Sequence, residues 1–482
     1  MPTNRKQAQA MDDITLWDAL QVSDALASKT ISAVDLMTAT LDRIAATNAD
    51  VNAIVSLRDA EVLMADARQA DDTPRTGWLH GIPMAIKDLA NAKGLPNSKG
   101  SPLFAGEVAQ TDDQLVARLR AAGAIIIGKT NTPEFGLGSH TFNSVFGNTS
   151  NPYDLSRSAG GSSGGAAAAL AAGMVCLADG SDMMGSLRNP AAWNNVYGMR
   201  PTWGLVPPDP VGEMFFKQLS TSGPMARSPR DLAAMLGTIA GPVRHWPFER
   251  PSSDFLAQID APDDAPRLGW LADWGGAYPM EPGILAHSEA ALADMQQLGW
   301  QVDALPPPMP ASDIWQSWRD LRSFVVAGER AEDYAVPERR KLLKPAMIWE
   351  VETGRALSSD AIYRASEIRS EWYRRALDLF EKVDVLVLPS AQVWPFAGHE
   401  VHPTEIAGVS LDTYHRWMEV VVPASLIGLP VVNIPAGFGS NGLPIGLQFI
   451  GAPGADAMLL RLAERWHQVT QWPQRRPACR DV

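Results

Sequence analysis

Two serine-bearing glycine turns decide the fold: Gly160-Gly161-Ser162-Ser163-Gly164-Gly165 and Gly180-Ser181-Asp182-Met183-Met184-Gly185-Ser186-Leu187-Arg188. The small-residue stretch 164–172 between them predicts one tightly packed helix. A serine needs an adjacent base to act as a nucleophile, and the oxyanion that forms on attack needs backbone N–H donors. Glycine lets the backbone approach closely enough to supply those donors. The turns are therefore either purely structural or part of a serine acyl-transfer site, and the identity of a base decides between them.

A histidine base is one alternative. Residues 160–164 and 161–165 both match the GxSxG pattern of a nucleophile elbow, which requires a strand before the turn. Residues 151–158 read as a loop, so the required strand is missing. Five histidines in the C-terminal half of the chain are available as partners, and each is interpreted as a surface or loop residue. They are His287, His399, His402, His415 and His467.

A lysine base fits the sequence better. Lys87 follows the apolar run 81–86, which is expected to carry its side chain into a dry interior. Desolvation lowers the pKa of a lysine and allows its neutral amine to accept a proton. A structural salt bridge from Lys87 to Asp88 is the competing interpretation.

Apolar runs and glycine-rich turns alternate along the chain in an α/β pattern. Ser32 as N-cap and Asp35 predict an amphipathic helix over 32–46. Proline is frequent from 206 to 310, and long charged helices are predicted from 311 to 380. Further buried strands are predicted in four apolar runs, namely 82–86, 124–127, 383–388 and 431–434.

Composition limits the classes of partner. The 482 residues include 46% hydrophobic and 20% charged side chains, which is typical of a globular protein with a sizeable core. The formal net charge of −13 makes nucleic acid a poor partner. The two cysteines, Cys176 and Cys479, are expected to be free thiols. With no signal peptide or membrane span in the sequence, we expect a cytoplasmic protein that does not bind membranes.

Two further motifs resemble ligand sites only loosely. Residues 123–130 match the P-loop pattern GxxxxGK[ST], but the strand-like residues lie between the glycines instead of before them. Residues 399–402 read His-Glu-Val-His, whereas zinc helices place histidines at i and i+4. No metal site is predicted, and a nucleotide-binding module remains a remote alternative.

Taken together, several segments resemble the amidase signature family in their order and spacing. The resemblance covers residues 14–476. It implies an α/β fold, with a mixed, twisted β-sheet core flanked by helices on both faces. It also implies one catalytic domain over 14–476, with a helical, cap-like region at 206–380 and short tails at 1–13 and 477–482. The segments that carry it are 81–88, 160–165, 180–192, 198–202 and 442–448.

The resemblance implies a role for each residue of the two turns. Ser186 matches the nucleophile, Ser162 a bridging serine after a cis Gly161–Ser162 peptide bond, and Lys87 the base. No metal or cofactor is implied. Two groups of residues are expected to support the reaction: the backbone N–H groups of Met183, Met184, Gly185 and Ser186 as oxyanion donors, and Asp182, Arg188 and Gly161 as supports of the loop.

One residue departs from the family pattern. The family usually has two glycines before the nucleophile, and here Met184 occupies the first of these positions. Its thioether is expected either to contact the substrate or to fill a gap in the core. The 206–380 region and the loop 393–417 are expected to shape substrate access. Four aromatic residues join Met184 as pocket candidates, and they are Trp394, Phe396, Tyr414 and Trp417.

The predicted activity is hydrolysis of an amide or amide-like bond through an acyl-enzyme. Small-molecule amides, anilides, carbamates (urethanes) and esters share this chemistry and are all possible substrates. A monomer or homodimer is expected. The main alternative is the A subunit of a glutamine-dependent tRNA amidotransferase, which acts with partner subunits.

Overall fold

The helix predicted from Ser32 is present in the computed structural model, which describes residues 14–262 and 265–480. The Ser32 hydroxyl accepts from the Asp35 amide at 3.0 Å, and the Ser32 amide donates to Asp35 Oδ2 at 2.9 Å. This capping box satisfies two N–H groups that the first turn of a helix leaves unpaired. The helix runs from Ala33 to Val51, five residues beyond the predicted end. The predicted tail at 1–13 lies outside the described residues.

The α-helices alternate with strands over the first half of the chain and cluster between 311 and 380. They are α1 (Ala19–Ala27), α2 (Ala33–Val51), α3 (Ala60–Asp72), α4 (Gln114–Ala121), α5 (Gly164–Ala171), α6 (Asn189–Trp193), α7 (Pro229–Ile239), α8 (Ile284–Gln297), α9 (Ala311–Glu329), α10 (Ala331–Ala335), α11 (Pro337–Arg340), α12 (Pro345–Ala356), α13 (Ser359–Phe380), α14 (Val422–Leu426) and α15 (Asp456–Thr470). None of these described helices is both long and apolar enough to cross a membrane.

The strands form one large mixed sheet and several small ones. They are β1 (Ile54–Val55), β2 (Pro83–Lys87), β3 (Ile125–Thr130), β4 (Phe142–Asn143), β5 (Gly147–Asn148), β6 (Ser150–Asn151), β7 (Asp154–Ser158), β8 (Leu177–Asp182), β9 (Tyr197–Arg200), β10 (Thr221–Ala226), β11 (Arg267–Trp270), β12 (Gln301–Ala304), β13 (Val385–Pro389), β14 (Glu405–Ile406), β15 (Val409–Ser410), β16 (Val431–Phe438) and β17 (Pro444–Ile450). The large sheet has the order β12-β11-β13-β17-β16-β9-β10-β8.

Both faces of the large sheet are buried. Val385 and Val387 of β13 pack into one apolar core, whereas Leu386 and Leu388 pack into another. Successive side chains of a strand point to opposite faces, so each core lies on its own side of the sheet. β11 pairs in parallel with β12 and β13, and the other neighbours pair antiparallel. The predicted α/β fold, with a mixed sheet between helices, is confirmed.

The three-stranded sheet β1-β3-β2 carries Lys87 at the end of β2. β2 and β3 pair in parallel, with Lys87 opposite Thr130. Helix α5 packs closely beside them because it is made of small, fully or nearly fully buried residues. A Cβ at Gly165 would lie 2.3 Å from the Asn131 amide nitrogen, so this approach requires glycine. The strands predicted at 82–86, 124–127, 383–388 and 431–434, and the helix predicted at 164–172, are all present.

One local prediction is wrong. Residues 151–158 read as a loop in the sequence, but β6 and β7 form a hairpin there, with Ser150 opposite Ser158 and Asn151 opposite Asp154. Strand β7 is mostly polar and half-exposed, so it lacks the alternation of apolar residues that marks a strand in a sequence. A strand therefore does precede the 160–165 turn.

The region predicted to be a helical cap, 206–380, contains strands in its first part. Its proline-rich portion contributes β10, β11 and β12 to the large sheet. This portion also contains α7 and α8, whereas residues 311–380 are mainly helical, as α9 to α13. Prolines between the strands obscure the short apolar runs that form them.

Residues 123–130 do not have the geometry of a P-loop. Lys129 lies inside β3, is fully buried, and donates to the Ala90 carbonyl, with Asp88 Oδ1 at 3.9 Å. A P-loop lysine instead stands at the start of a helix whose free N–H groups bind phosphate.

Candidate active site

Lys87 lies at the buried end of β2, with 1% of its surface exposed. Its Nζ is 2.8 Å from both Ser162 Oγ and Ser163 Oγ, and 3.1 Å from Ser181 Oγ. Burial lowers the pKa of Lys87 to about 7, although Asp179 and Asp182 raise it in part. The neutral amine is therefore populated near neutral pH. Asp88, the salt-bridge partner considered from the sequence, pairs with Lys129 instead.

The 160–165 turn presents Ser162 to Lys87. The Gly161–Ser162 peptide bond is cis, and the Gly161 carbonyl accepts a hydrogen bond from the Ser139 hydroxyl. A Cβ at Gly161 would lie 3.0 Å from Thr141 Oγ1 and 3.1 Å from Ser139 C, so a side chain has little room there. The backbone on either side of Ser162 is thus held by its neighbours, and the Ser162 hydroxyl is directed to the lysine.

Ser186 lies on the loop between β8 and α6, and is 6% exposed. Asp182, at the end of β8, holds this loop: its two carboxylate oxygens accept from the Gly185 amide at 2.9 Å and the Leu187 amide at 3.0 Å. Gly185 has φ +83°, and a Cβ there would lie 2.2 Å from Asn189 Oδ1. Glycine is therefore required immediately before Ser186.

Asp182 is itself held by two buried arginines. Arg188 Nη2 lies 2.9 Å from its Oδ1, and Arg200 Nη1 lies 3.2 Å from the same oxygen. Burial alone would raise the pKa of Asp182, but the Arg188 and Arg200 guanidinium groups outweigh burial and lower the pKa well below its usual range. Arg188 also donates to the Val421 carbonyl at 2.9 Å. This ion cluster ties the Ser186 loop to the large sheet.

The predicted oxyanion donors fall into two groups. In the part of the chain that the structure describes, the amides of Met183, Met184 and Ser186 make no hydrogen bond to protein. The Gly185 amide, by contrast, donates to Asp182 Oδ1 at 2.9 Å and is already engaged within the protein. The sequence identifies Asp182 as a support of the loop but cannot reveal which amide its carboxylate engages.

Ser162 and Ser186 line one cavity of about 360 Å³, the active-site cavity. Within residues 14–262 and 265–480, no hydrogen bond joins their two hydroxyl groups. Hydrogen bonds between catalytic groups are often long before a substrate binds and shorten in the complex. Met184 is 4% exposed and lines this cavity while packing against the apolar core. Three other methionines share the lining, namely Met183, Met347 and Met418.

The aromatic pocket candidates lie elsewhere. Trp394 donates its indole N–H to the Pro282 carbonyl at 3.1 Å and contacts His287, away from Ser186. Phe396 is buried in the core against Trp193 and Trp417. Tyr414 and Trp417 line a second cavity, which is described below. An aromatic residue in a loop carries no sequence signal that distinguishes core from pocket.

None of the five histidines considered as bases donates to or accepts from Ser162 or Ser163 among the described contacts. His415, predicted to be a surface or loop residue, is fully buried beside Trp315, with ring centroids 5.0 Å apart. The contacts of Lys87 with Ser163 and Ser181 were not predicted. Ser163 and Ser181 belong to the two glycine turns, so their place in the sequence could have indicated that they lie near Lys87.

Comparisons with known proteins indicate the family to which the chain belongs. The Amidase family model matches residues 35–460. The acylamidase of Rhodococcus erythropolis is 32% identical over 95% of this chain and 97% of its own length. The A subunit of the glutamyl-tRNA(Gln) amidotransferase of Dechloromonas aromatica is 34% identical over 95% of this chain and 98% of its own length.

A solved structure extends the likeness to the fold. The crystal structure of a bacterial aryl acylamidase of the amidase signature family superposes with a TM-score of 0.88 and 26% identity. It covers 95% of this chain and 97% of its own chain. A family model spanning most of the sequence, full-length relatives and a shared fold lead to one conclusion: the chain is an amide-hydrolysing enzyme of the amidase signature family.

Proposed function

We propose that the protein hydrolyses the C–N bond of small-molecule amides or amide-like compounds through Ser186, Ser162 and Lys87. The observation that carries this proposal is the 2.8 Å contact between Lys87 Nζ and Ser162 Oγ in a buried site. Burial lowers the pKa of Lys87 to about 7, so the amine can accept a proton at neutral pH. Ser186, on the neighbouring turn, lines the same cavity as Ser162.

In the proposed reaction, Ser186 Oγ attacks the substrate carbonyl carbon. The Ser186 proton passes to Ser162 Oγ, while the Ser162 proton passes to Lys87 Nζ. The oxyanion of the tetrahedral intermediate accepts hydrogen bonds from the free amides of Met183, Met184 and Ser186. The relay returns a proton to the leaving amine, the C–N bond breaks, and a Ser186 ester remains. Water then attacks this ester by the same relay and releases the acid.

The lining of the active-site cavity is mixed, and its methionines can contact an apolar group on the substrate. Its charged side chains are Lys99, Arg322, Glu329 and Arg330. Four methionines, whose thioethers adapt to irregular apolar and aromatic surfaces, border the space beside Ser186. Amides, anilides, carbamates and esters with such groups all fit the proposed chemistry.

A hydrolysis screen with acyl p-nitroanilides, aryl amides and aryl carbamates tests this function. Ser186→Ala should abolish turnover of every substrate that the native enzyme hydrolyses, while the far-ultraviolet circular dichroism spectrum stays unchanged. Ser220→Ala is the matched control, because Ser220 lines the same cavity but is exposed and outside the relay. Full activity in Ser186→Ala, or covalent labelling of Ser163 by a phosphonate, would contradict the assignment of the nucleophile.

A second candidate function follows from the likeness to the A subunits of amidotransferases, at 34% identity over 95% of the chain. Such a protein would hydrolyse glutamine for a partner complex. We expect the purified chain to hydrolyse aryl amides without other proteins, as a monomer or homodimer, and to leave glutamine intact. Release of ammonia from glutamine, measured with glutamate dehydrogenase, together with inactivity on aryl amides, would favour the amidotransferase function.

A further inference from the structure

A second cavity of about 500 Å³, the aromatic chamber, adjoins the active-site cavity. Four aromatic side chains line it, namely Phe142, Trp349, Tyr414 and Trp417. Its volume lies within the range of about 300 to 1,000 Å³ that is typical of small-molecule sites, which are predominantly apolar and aromatic. The chamber therefore has the size and lining of a ligand site.

Only a short segment separates the chamber from Ser186. Leu137 and Gly138 line both cavities. Lys344 Nζ donates to the Leu137 carbonyl at 2.5 Å and holds this segment in place. A Cβ built on Gly138 would meet no heavy atom within 4 Å, so the space beside this glycine is open. Leu137 and Gly138 are therefore a common border of the two cavities, and no side chain of Gly138 narrows it.

Most polar groups that border the chamber already have partners within the protein. His140 bonds Ser158 Oγ at 2.7 Å and the Gly398 carbonyl at 3.1 Å, and burial lowers its pKa to about 4, so it is neutral. The Tyr414 hydroxyl donates to Glu350 Oε1 at 2.7 Å. By contrast, the buried indole N–H of Trp417 has no partner among the described residues. Two charged side chains, Lys344 and Asp412, also border the chamber. Lys344 Nζ donates to the Leu137 carbonyl, and the exposed Asp412 carboxylate lies 3.9 Å from Arg416 Nη1. The rest of the lining is mainly aromatic and apolar, and it is compatible with an apolar ligand.

We infer that the aromatic chamber binds the distal aryl or branched apolar group of the substrate whose carbonyl lies at Ser186. This inference rests on the proposed amidase function and names its substrate class as elongated amides that carry such a group. We assign the occupant to the same substrate because the two cavities share Leu137 and Gly138. We assign it an aryl or apolar group because the walls of the chamber are aromatic.

Two p-nitroanilides that differ only in acyl length provide the test, together with two amides of 4-nitrobenzoic acid that differ only in amine length. In each pair, one member ends in a phenyl group on a flexible linker and the other is truncated. Trp349→Ala removes a wall of the chamber, and Ala346→Phe fills it. Ile348→Ala, on the same helix but outside both cavities, is the matched control. Thermal unfolding of each variant shows whether the chain remains folded.

In at least one pair, the native enzyme should prefer the long substrate in kcat/KM by about 10-fold or more, the scale of one good apolar subsite. Trp349→Ala and Ala346→Phe should each remove most of that preference while changing kcat/KM for the short substrate by less than about 3-fold, and Ile348→Ala should retain it. Equal losses on long and short substrates, or no preference in the native enzyme, would overturn the inference while leaving the amidase function intact. No hydrolysis of any substrate would instead overturn the proposed function. If 3-phenylpropanol changed turnover of the short substrate without competing with the long one, the chamber would be an effector site and the inference would be wrong.

Discussion

At the scale of single residues, the proposed chemistry depends on one lysine in contact with several hydroxyl groups. Lys87 Nζ contacts Ser162, Ser163 and Ser181, and its pKa is lowered to about 7. A solvent-exposed lysine side chain has a pKa near 10.4. Desolvation therefore allows the neutral amine of Lys87 to form at a pH about three units lower. The same burial removes solvent that could otherwise supply competing protons.

Replacing Lys87 distinguishes a base from a positive charge. Lys87→Arg keeps the charge but cannot lose a proton at working pH, so kcat/KM should fall by about 100-fold or more. In the native enzyme, kcat/KM should rise with pH through an apparent pKa near 7 and then level off, because the neutral amine is the competent form. Stopped assays from pH 5.5 to 9 measure both effects. An active Lys87→Arg enzyme, or a profile that falls from pH 6 to 9 in a chain that stays folded, would rule out the base role.

Met184 is the residue that departs from the family pattern, and it lines the active-site cavity. Met184→Gly should keep measurable activity, because the backbone amides remain, and should shift preference toward bulkier substrates. The relative kcat/KM of small and bulky anilides should change by about 10-fold or more. Met174→Gly is the control, since Met174 is fully buried in the core on the other side of the sheet. A lower melting temperature for Met184→Gly with unchanged substrate ranking would assign Met184 a packing role only.

At the scale of elements, the loop between β8 and α6 is held by one carboxylate between two arginines. Asp182→Asn should destabilise the chain by about 3 to 5 kcal/mol, because Arg188 and Arg200 are fully buried and would lose their counter-ion. Urea unfolding at pH 7 measures this loss. The pKa of Asp182 is lowered in the folded chain, so its stabilising contribution is present above about pH 4 and is lost as the pH falls. Glu338→Gln, which removes an exposed pair with Lys341, should change stability little.

Local patterns in the sequence are sufficient to predict several of the helices and strands around the candidate active site. Ser32 and Asp35 predict the start of α2, and apolar runs predict β2 and β3. Strand β7 escapes prediction because its residues are polar and half-exposed. The roles of Ser186, Ser162 and Lys87 remain predictions, although the structure brings Lys87 and Ser162 into contact. The engagement of the Gly185 amide and the positions of Trp394 and Phe396 depend on long-range packing, which no local pattern encodes.

At the scale of the whole molecule, the active-site cavity lies where the eight-stranded sheet, the three-stranded sheet and the helices of residues 311–380 meet. Residues from the β2 side, from the β8 loop and from α9 and α12 all line it, including Leu89, Ser186, Val326 and Met347. Substrate access is therefore shaped by segments far apart in sequence. This arrangement explains why the 206–380 region could be expected to influence access while its individual contacts could not be predicted.

Activity should be independent of metal ions, because the proposed base is an amine and the oxyanion donors are amides. Among the residues that the structure describes, no group of three or more His, Cys, Asp or Glu side chains is arranged to hold a metal. Dialysis against a chelator should leave kcat/KM within about 2-fold, since the proposed proton relay runs through Lys87 and needs no metal. Loss of activity that returns with added Zn²⁺ or Mn²⁺ would contradict this mechanism.

The anchoring of the Ser186 loop also limits the routes by which the enzyme can acquire new substrates. Gly185 cannot gain a side chain without meeting Asn189, and Asp182 is committed to two amides and two guanidinium groups. The side chains of Met183 and Met184 make none of these hydrogen bonds or ion pairs; they pack partly against the apolar core and border the active-site cavity. Natural drift and directed evolution of substrate range should therefore accumulate changes at these two neighbouring positions, leaving the reactive geometry beside them unaltered.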